Sequence, residues 1–441
     1  MTQVRLPRGA VSRMAADGAR TMIKRAIAIV LLCLIYRGAQ AFSRLRGRRP
    51  REQGDGRRGI LLIGTFHNPN WLYAHVEPIA RSGCGPVRLV CDEPVGEIPG
   101  VEYCCPPVWA QRVFSRALAK LFAAVKAMRA GGVDLVMGYH VFPAGVIALV
   151  VARAFRVPAA FQVTSGELEL EGGGWHAENR LLTALGRPSA AVERAVVAMT
   201  REFDLLVVRG SRAEAWLRRA GCTNPIARIT GSVDYPDRVP GFAERQYDIV
   251  FVGRLTEYKR PDRMLEVLKR LRAAGREFSA LVIGDGPDRD ALVRTAGEAG
   301  LEPFVTWAGQ LADVPAHLLE ARVFLLTSRW EGVSIAMLEA MACGAVPVVS
   351  DVGDLRDVVT DGETGWVLDG DDIDGYVSRL LPLLEDRGTW ERLSAGARER
   401  ARRLASKPLV AERWSETIAA VRDAFFTRPV SVTSGRGTTD A

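Results

Sequence analysis

The chain has 441 residues, 48 % apolar, 25 % charged and 7 % aromatic. That composition excludes wholesale disorder, a coiled coil, collagen and a multi-span membrane protein, and the length favours two folded domains over one. Lys and Arg number 59 against 51 Asp and Glu, a net +8, yet residues 1–58 hold 14 basic and 3 acidic residues, a surplus of 11 that leaves the remainder at −3. A nucleic-acid groove needs its charge on the folded body, so no nucleic acid is expected as a partner, and an anionic membrane surface suits the arm better. Seven cysteines without a Cys-x-x-Cys pair and five scattered histidines point to reduced thiols in a cytoplasmic protein. No metal site and no cofactor are expected.

Residues 1–58 form the basic arm, with one apolar run, Ala26 to Tyr36, fenced by Lys24-Arg25 and Arg37. Eleven residues make about 16 Å of helix, half of a ~30 Å bilayer core, so the run cannot span as written. Segment 22–41 stays open between three readings: a signal-like segment with Ala39-Gln40-Ala41 as cleavage site, a helix packed on the body, and a helix lying in the membrane interface. The last is favoured, with Arg44, Arg46, Arg48, Arg49 and Arg51 facing anionic lipid. The arm is expected to anchor and to be separable from a body that folds without it.

From Ile60 the pattern becomes short apolar runs alternating with amphipathic stretches, the signature of parallel sheets. Predicted strands are Ile60–Gly64, Val87–Cys91, Leu135–Met137, Ala159–Val163 and Leu205–Val208, with helices at Trp71–Ser82, Val113–Arg129 and Pro143–Phe155. Basic and apolar faces on Val113–Arg129 fit lipid contact, but a solvated crossover helix explains them as well and is preferred. A turn-rich stretch from Gly231 to Gln246 precedes a second series at Asp248–Val252, Ala280–Ile283, Val305–Trp307, Val323–Leu326 and Val346–Val349. The expected fold is α/β, two Rossmann-like doubly wound domains facing a central cleft. Residues 59–240 form the first and 241–403 the second, a helix over 404–426 returns to the first, and 427–441 is a loose tail.

Ligands of open parallel sheets bind beyond the carboxyl ends of the strands. After Asp248–Val252 comes Gly253-Arg254-Leu255-Thr256-Glu257-Tyr258-Lys259-Arg260-Pro261, a tight exit with two cations near a helix start, the chemistry of a diphosphate clamp. After Val323–Leu326 comes Thr327-Ser328-Arg329-Trp330, then Glu331 to Glu339 (EGVSIAMLE). If Gly332 and Val333 open the following helix, their N–H groups face an anion while Glu331 stands in the mouth and Glu339 lies about 12 Å further along the axis. One carboxylate can serve a sugar and the other a ribose.

On these residues, with Gly284-Asp285-Gly286-Pro287, Trp307-Ala308-Gly309, Gly353 to Asp361 and Gly362-Glu363-Thr364-Gly365, the segment from about 247 to 385 resembles the donor domain of family-four retaining glycosyltransferases, which have the two-Rossmann GT-B fold. The resemblance implies that Arg254 and Lys259 neutralise a leaving diphosphate and that Glu331, with the Gly332 and Val333 amides, holds the donor sugar. It implies that Glu339 holds the ribose, that the base lies near Trp307 to Gly309, and that Gly253 and Gly284 belong to the donor site. The first half matches less well. Gly64-Thr65-Phe66-His67-Asn68-Pro69-Asn70-Trp71 stands where the family often has a Gly-Gly loop. His140 occupies the place of a family histidine at a strand end, and Ser165-Gly166 replaces a His-Gly pair. The acidic, Gly-hinged loop of Glu167, Glu169, Glu171 and Gly172-Gly173-Gly174-Trp175-His176 faces either the acceptor or solvent.

The resulting expectation is a cytoplasmic glycosyltransferase, peripheral at the inner face of the membrane. It would move a sugar with retention from a nucleotide-diphosphate donor to a carbohydrate or lipid-linked acceptor hydroxyl, as in envelope polysaccharide synthesis. The rivals are a sugar-nucleotide epimerase or phosphorylase of similar fold and a non-catalytic sugar-nucleotide-binding scaffold.

Overall fold

Among the described residues, thirteen short strands build two all-parallel sheets. The first has the order β3-β2-β1-β4-β5-β6-β7, from β1 (Ile60–Ile63), β2 (Val87–Val90), β3 (Val101–Tyr103), β4 (Leu135–Tyr139), β5 (Ala159–Gln162), β6 (Leu205–Val208) and β7 (Ile226–Arg228). The second has the order β10-β9-β8-β11-β12-β13, from β8 (Tyr247–Val252), β9 (Ala280–Ile283), β10 (Val305–Gly309), β11 (Ala321–Leu326), β12 (Val346–Ser350) and β13 (Trp366–Leu368). The computed structural model describes residues 8–48, 58–66, 68–176 and 179–427, with 8–19 as backbone only. Arg49, Arg51, His67 and the tail after Thr427 lie outside the described residues.

Central strands such as Ile60–Ile63 and Leu205–Val208 are buried at every position. Helices cover both faces of the sheet, so these strands read as continuous apolar runs. Edge strands β3, β7 and β13, absent from the sequence reading, are three residues each and only partly buried. The predicted Trp71–Ser82 helix is two short helices, Pro69–His75 and Glu77–Arg81, because Pro78 starts a new turn. The helix expected from Val113 begins at Val108 and is broken at Ser115, whose φ is 72°. Pro143–Phe155 resolves into a turn of π-helix, Val141–Gly145, followed by the α-helix Val146–Phe155.

The largest departure from expectation is the arm. The apolar run is the middle of a 39-residue helix, Arg8–Arg46. Its Arg20–Arg46 part is long and apolar enough to cross a membrane by length and composition. Yet one stripe, Ala28, Leu32, Tyr36 and Ala39, is buried in the core of the first domain. The i, i+4, i+8, i+11 spacing puts the four on one face. Polar contacts fix the register: Arg25 donates to the carbonyls of Leu185, Arg187 and Pro188, Gln40 to Ala198 at 3.1 Å, and Arg48 to Arg201 and Phe203. Buried Arg153 donates to Ser43 Oγ at 3.1 Å and pairs with Asp204 at 2.8 Å. The helix is therefore part of the domain and not a tether.

At the other end of the chain the helix Lys407–Phe426 crosses to the first domain. There Val410, Trp414, Ile418 and Val421 fill the core on the opposite sheet face. Arg422 pairs with Asp134 at 2.5 Å and donates to Cys84 O. The two places where the chain passes between domains lie side by side, joined by a bridge between Val233 and Ser406.

Candidate active site in the interdomain cleft

In each sheet the strand order reverses direction beside the first strand of the domain, between β1 and β4 and between β8 and β11. Those are the switch points where loops diverge and leave a crevice. His140 directly follows β4, Arg254 and Lys259 follow β8, and Glu331 follows β11. The carboxyl ends of the two sheets face one another. A Cβ on Gly332 would sit 2.6 Å from Thr164 O, and one on Gly166 would sit 3.3 Å from Glu331 O. The loop after β5 thus meets the loop after β11, backbone against backbone, and the His140 region and Glu331 share one cleft.

On the second domain the loops after β8, β9 and β10 are layered. Gly253 N donates to Ile283 O at 3.0 Å, Leu255 N to Asp285 O at 2.9 Å and Gly284 N to Gly309 O at 2.7 Å. Gly284 has φ 134°, and a Cβ there would fall 2.0 Å from Gly253 O, so the layering requires glycine. Lys259 Nζ lies 2.5 Å from Glu331 Oε1, which also accepts from Ser328 Oγ at 2.7 Å. Their side chains are only 15 % and 10 % exposed. Burial alone would lower the Lys259 pKa, but the Glu331 carboxylate outweighs it and holds the ammonium above its ordinary value. Arg254 is exposed at the strand exit.

The helix after Glu331 opens later than expected. It runs Ile335–Ala342 with Ser334 as N-cap, so Gly332 and Val333 lie in the turn leading into it. Glu339, within the helix, is pushed up to about 7 by burial and by the charge of Asp234. Trp307 packs its ring on the core behind the sheet, which leaves the Gly309 main chain, at φ 67°, as the exit of β10.

On the first domain His140 has φ 61° with ψ 149°, a sparsely populated conformation that costs a non-glycine residue about 1–3 kcal/mol. It stacks on Trp71 at 5.7 Å and 18°. Its Nδ1 lies 2.7 Å from Thr164 Oγ1, which in turn lies 3.2 Å from Glu169 Oε2. The carboxylate can only accept, so the Thr164 hydroxyl donates to Glu169 and accepts from His140 Nδ1–H, leaving Nε2 as the basic nitrogen. Glu169 also accepts the main-chain N–H of Val141 at 2.8 Å, of Thr164 at 2.6 Å and of Ser165 at 3.1 Å. Burial would raise its pKa, but the nearby His140 imidazole and the bonds from these amides hold it below the usual glutamate value. Glu169, read from sequence only as one acid of a loop, is the residue that ties the strand ends of β4 and β5 together.

Sequence reasoning also missed an aromatic bridge. Tyr258 and Trp330 stack at 5.9 Å and 11° on the second domain, and His176 of the Gly-hinged loop packs on Trp330 at 4.4 Å from the first. The only signal was the position of Tyr258 and Trp330 immediately before Lys259 and Glu331.

Two facing Rossmann-like domains with this cleft define the GT-B fold. The solved structure of Anabaena HepE in complex with UDP superposes with a TM-score of 0.66 over 82 % of this chain and 100 % of that one, at 17 % identity. Residues 236–400 match the family model described as glycosyl transferases group 1. Over 147 residues the chain is 32 % identical to a GDP-mannose-dependent alpha-(1-6)-phosphatidylinositol monomannoside mannosyltransferase of Mycolicibacterium smegmatis, covering 31 % of this chain and 38 % of the relative. Over 181 residues it is 30 % identical to the lipopolysaccharide core biosynthesis mannosyltransferase LpsB of Rhizobium meliloti, covering 40 % and 50 %. The matches thus span about two fifths to one half of these curated relatives.

Proposed function

We propose that the protein is a glycosyltransferase that moves a sugar from a nucleotide-diphosphate donor to an acceptor hydroxyl with retention of configuration. The observation that carries the reading is the buried Lys259–Glu331 pair at the switch point of the second sheet. It supplies a fixed cation for a leaving diphosphate beside a carboxylate for sugar hydroxyls. In this reading Arg254 and Lys259 meet the charge that grows on the diphosphate, assisted by the Gly332 and Val333 amides ahead of the Ile335–Ala342 helix. Glu331 orients the sugar and Glu339 the ribose, with the base beside the Gly309 exit. The departing phosphate oxygen takes the acceptor proton on the same face, so retention needs no enzymic nucleophile. Glu169, through Thr164, orients His140 toward the transferred sugar.

In this reading the first domain binds the acceptor, and a lipid-linked or envelope carbohydrate fits the basic, apolar amino-terminal helix and the names of the two mannosyltransferase relatives. Localisation at the inner face of the membrane is part of the same proposal. A thermal-shift screen with uridine, guanosine and thymidine diphosphates and their sugars tests the donor half, because a ligand bound only by the native state raises its stability. Labelled-sugar transfer to membrane extracts then tests the acceptor half. A chain that binds none of these donors, or binds one and never transfers from it, is not this enzyme.

A further inference from the structure

Among the described residues, every large apolar side chain that stands exposed, Val293 apart, belongs to just two helices, Arg8–Arg46 and Val108–Arg129. On the first these include Met22, Ile27, Val30 and Leu34; on the second they include Trp109 and Phe114. The second helix also presents Phe122, and Trp109, Phe114 and Phe122 form a chain of edge-to-face rings at 6.4 and 5.9 Å. An exposed aromatic cluster of this kind is costly in water and suited to the headgroup boundary of a bilayer.

The two helices lie on one face. Ala28 and Leu32 of the first and Ala124 and Met128 of the second enter the same core cluster beneath them. They also run in one direction. The amino-terminal helix is fixed by Arg25 to the carbonyls before the Ala190–Thr200 helix and by Arg48 to those after it. It therefore runs, like that crossover helix, from the carboxyl edge of the sheet to the amino edge. The Val108–Arg129 helix, a crossover from β3 to β4, does the same. Apart from Leu45 and Phe122, the exposed apolar residues of both fall in the parts nearer the carboxyl edge, the edge that faces the cleft.

Charge completes the pattern. Neither Arg20–Arg46 nor Val108–Arg129 contains an Asp or Glu, while Arg20, Lys24, Arg37, Arg112, Arg116 and Lys126 are exposed. We propose that these two helices form a single monotopic docking surface for an anionic lipid bilayer, which seats the first domain in the interface with the cleft opening beside the membrane. The Val108–Arg129 helix, preferred from sequence as a solvated crossover, becomes half of that surface. The proposal rests on the membrane-surface reading above, and it gives the acceptor a direct route from the headgroup layer into the site.

The test uses the full chain and vesicles of phosphatidylcholine with and without one third phosphatidylglycerol. Two double variants remove exposed groups only: Trp109→Ser with Phe114→Ser, and Ile27→Ser with Leu34→Ser; Val293→Ser is the control. Wild type and control should bind the anionic vesicles, lose most binding in high salt and be released by alkaline carbonate. Each double variant should bind about tenfold more weakly while keeping the wild-type melting temperature and the wild-type thermal shift with the donor diphosphate. Unchanged vesicle binding in either double variant overturns the proposal. So does resistance to carbonate, which marks a membrane span, or conversion of a dimer to a monomer with vesicle binding intact, which marks a self-interface. Failure of the donor screen with vesicle binding as described would sink the transferase reading alone.

Discussion

Lys259 and Glu331, 72 residues apart, share a 2.5 Å contact at which the exits of β8 and β11 converge. Thr327 Oγ1 donates to Arg260 O at 2.8 Å, and Arg329 N to Tyr258 O at 2.7 Å, so the two loops are tied on both sides of the pair. Such bracing holds the cation where charge develops, which is how preorganised groups lower a barrier. Lys259→Met should lower turnover by about 10²–10³, the range for loss of one transition-state donor, and weaken nucleoside diphosphate binding. Steady-state kinetics and calorimetry check both. A variant with wild-type turnover and diphosphate affinity removes Lys259 from the site.

Glu169 offers a separate test on the other wall of the cleft. Its oxygens accept from main-chain donors on both sides, so in Glu169→Gln the amide must point N–H at N–H on one of them. That mismatch should cost about 1–3 kcal/mol of stability and loosen His140. The sign with pH follows from the lowered pKa: the stabilisation is present above the ordinary glutamate value and is lost as pH falls through the lowered one. Acid unfolding of the Gln variant should therefore be shallower than that of the wild type, measured by urea melts from neutral pH to about pH 3. Equal slopes would mean that the carboxylate is not the group these amides stabilise.

Glu339 behaves in the opposite sense. With a folded pKa pushed to about 7, the native state keeps a proton that the unfolded chain loses above its ordinary value of 4.5. Stability contributed at this position therefore falls as pH rises through that window and is lowest above about pH 7. Glu339→Gln should gain about 1–3 kcal/mol over wild type near pH 8 and nothing near pH 4. If Glu339 also holds the ribose, the donor KM rises in the same variant, a stability gain joined to a binding loss. A variant less stable at both pH values would indicate a structural role instead.

Gly332 controls how closely the domains approach. A methyl group there meets Thr164 O across the cleft at 2.6 Å, while the two domains remain joined by the paired crossings near Val233 and Ser406. Gly332→Ala should hold the cleft slightly open, reducing turnover about tenfold or more with little change in melting temperature. Small-angle scattering with saturating donor should show the variant more extended than wild type. Equal radii and equal turnover would mean that this contact does not limit closure.

What could be read from the chain follows local density of information. Ile60–Ile63 and Val323–Leu326 announce themselves because burial on both faces leaves only apolar residues. Gly253, Lys259, Glu331 and Glu339 sit in two short motifs, so their chemistry is contiguous in sequence. Trp366–Leu368 is hidden because its apolar run is only three residues long, too short to stand out from the turn residues Gly362-Glu363-Thr364-Gly365 before it. The link from His140 through Thr164 to Glu169 is tertiary, and no spacing encodes a hydrogen bond between separate strand exits. The docking stripe Ala28, Leu32, Tyr36, Ala39 has ordinary helical spacing, but the exposed Ile27, Val30, Leu31 and Leu34 around it conceal which side is buried.

That stripe decides what removal of the amino-terminal helix does. A tether could be cut without loss, whereas Leu32 and Tyr36 are fully buried against the core that also holds Ala148, Val192 and Val196. Leu32→Ala should cost about 2–4 kcal/mol, the range for a leucine truncated in a packed core, while Leu34→Ala, on the exposed side, should cost under about 0.5 kcal/mol. Deletion of residues 1–48 goes further. It uncovers the apolar side chains beneath the stripe, removes Ser43 from the buried Arg153 and takes the Arg48 ion pair from Asp204. The truncated chain should aggregate or melt well below wild type, and the first domain should lose amide-exchange protection over Val146–Phe155 and Ala190–Thr200 before the second domain changes. Paired melts of the two leucine variants, with hydrogen exchange on the deletion, separate the possibilities: a soluble truncation with wild-type protection and an innocuous Leu32→Ala would return the helix to the role of a detachable anchor.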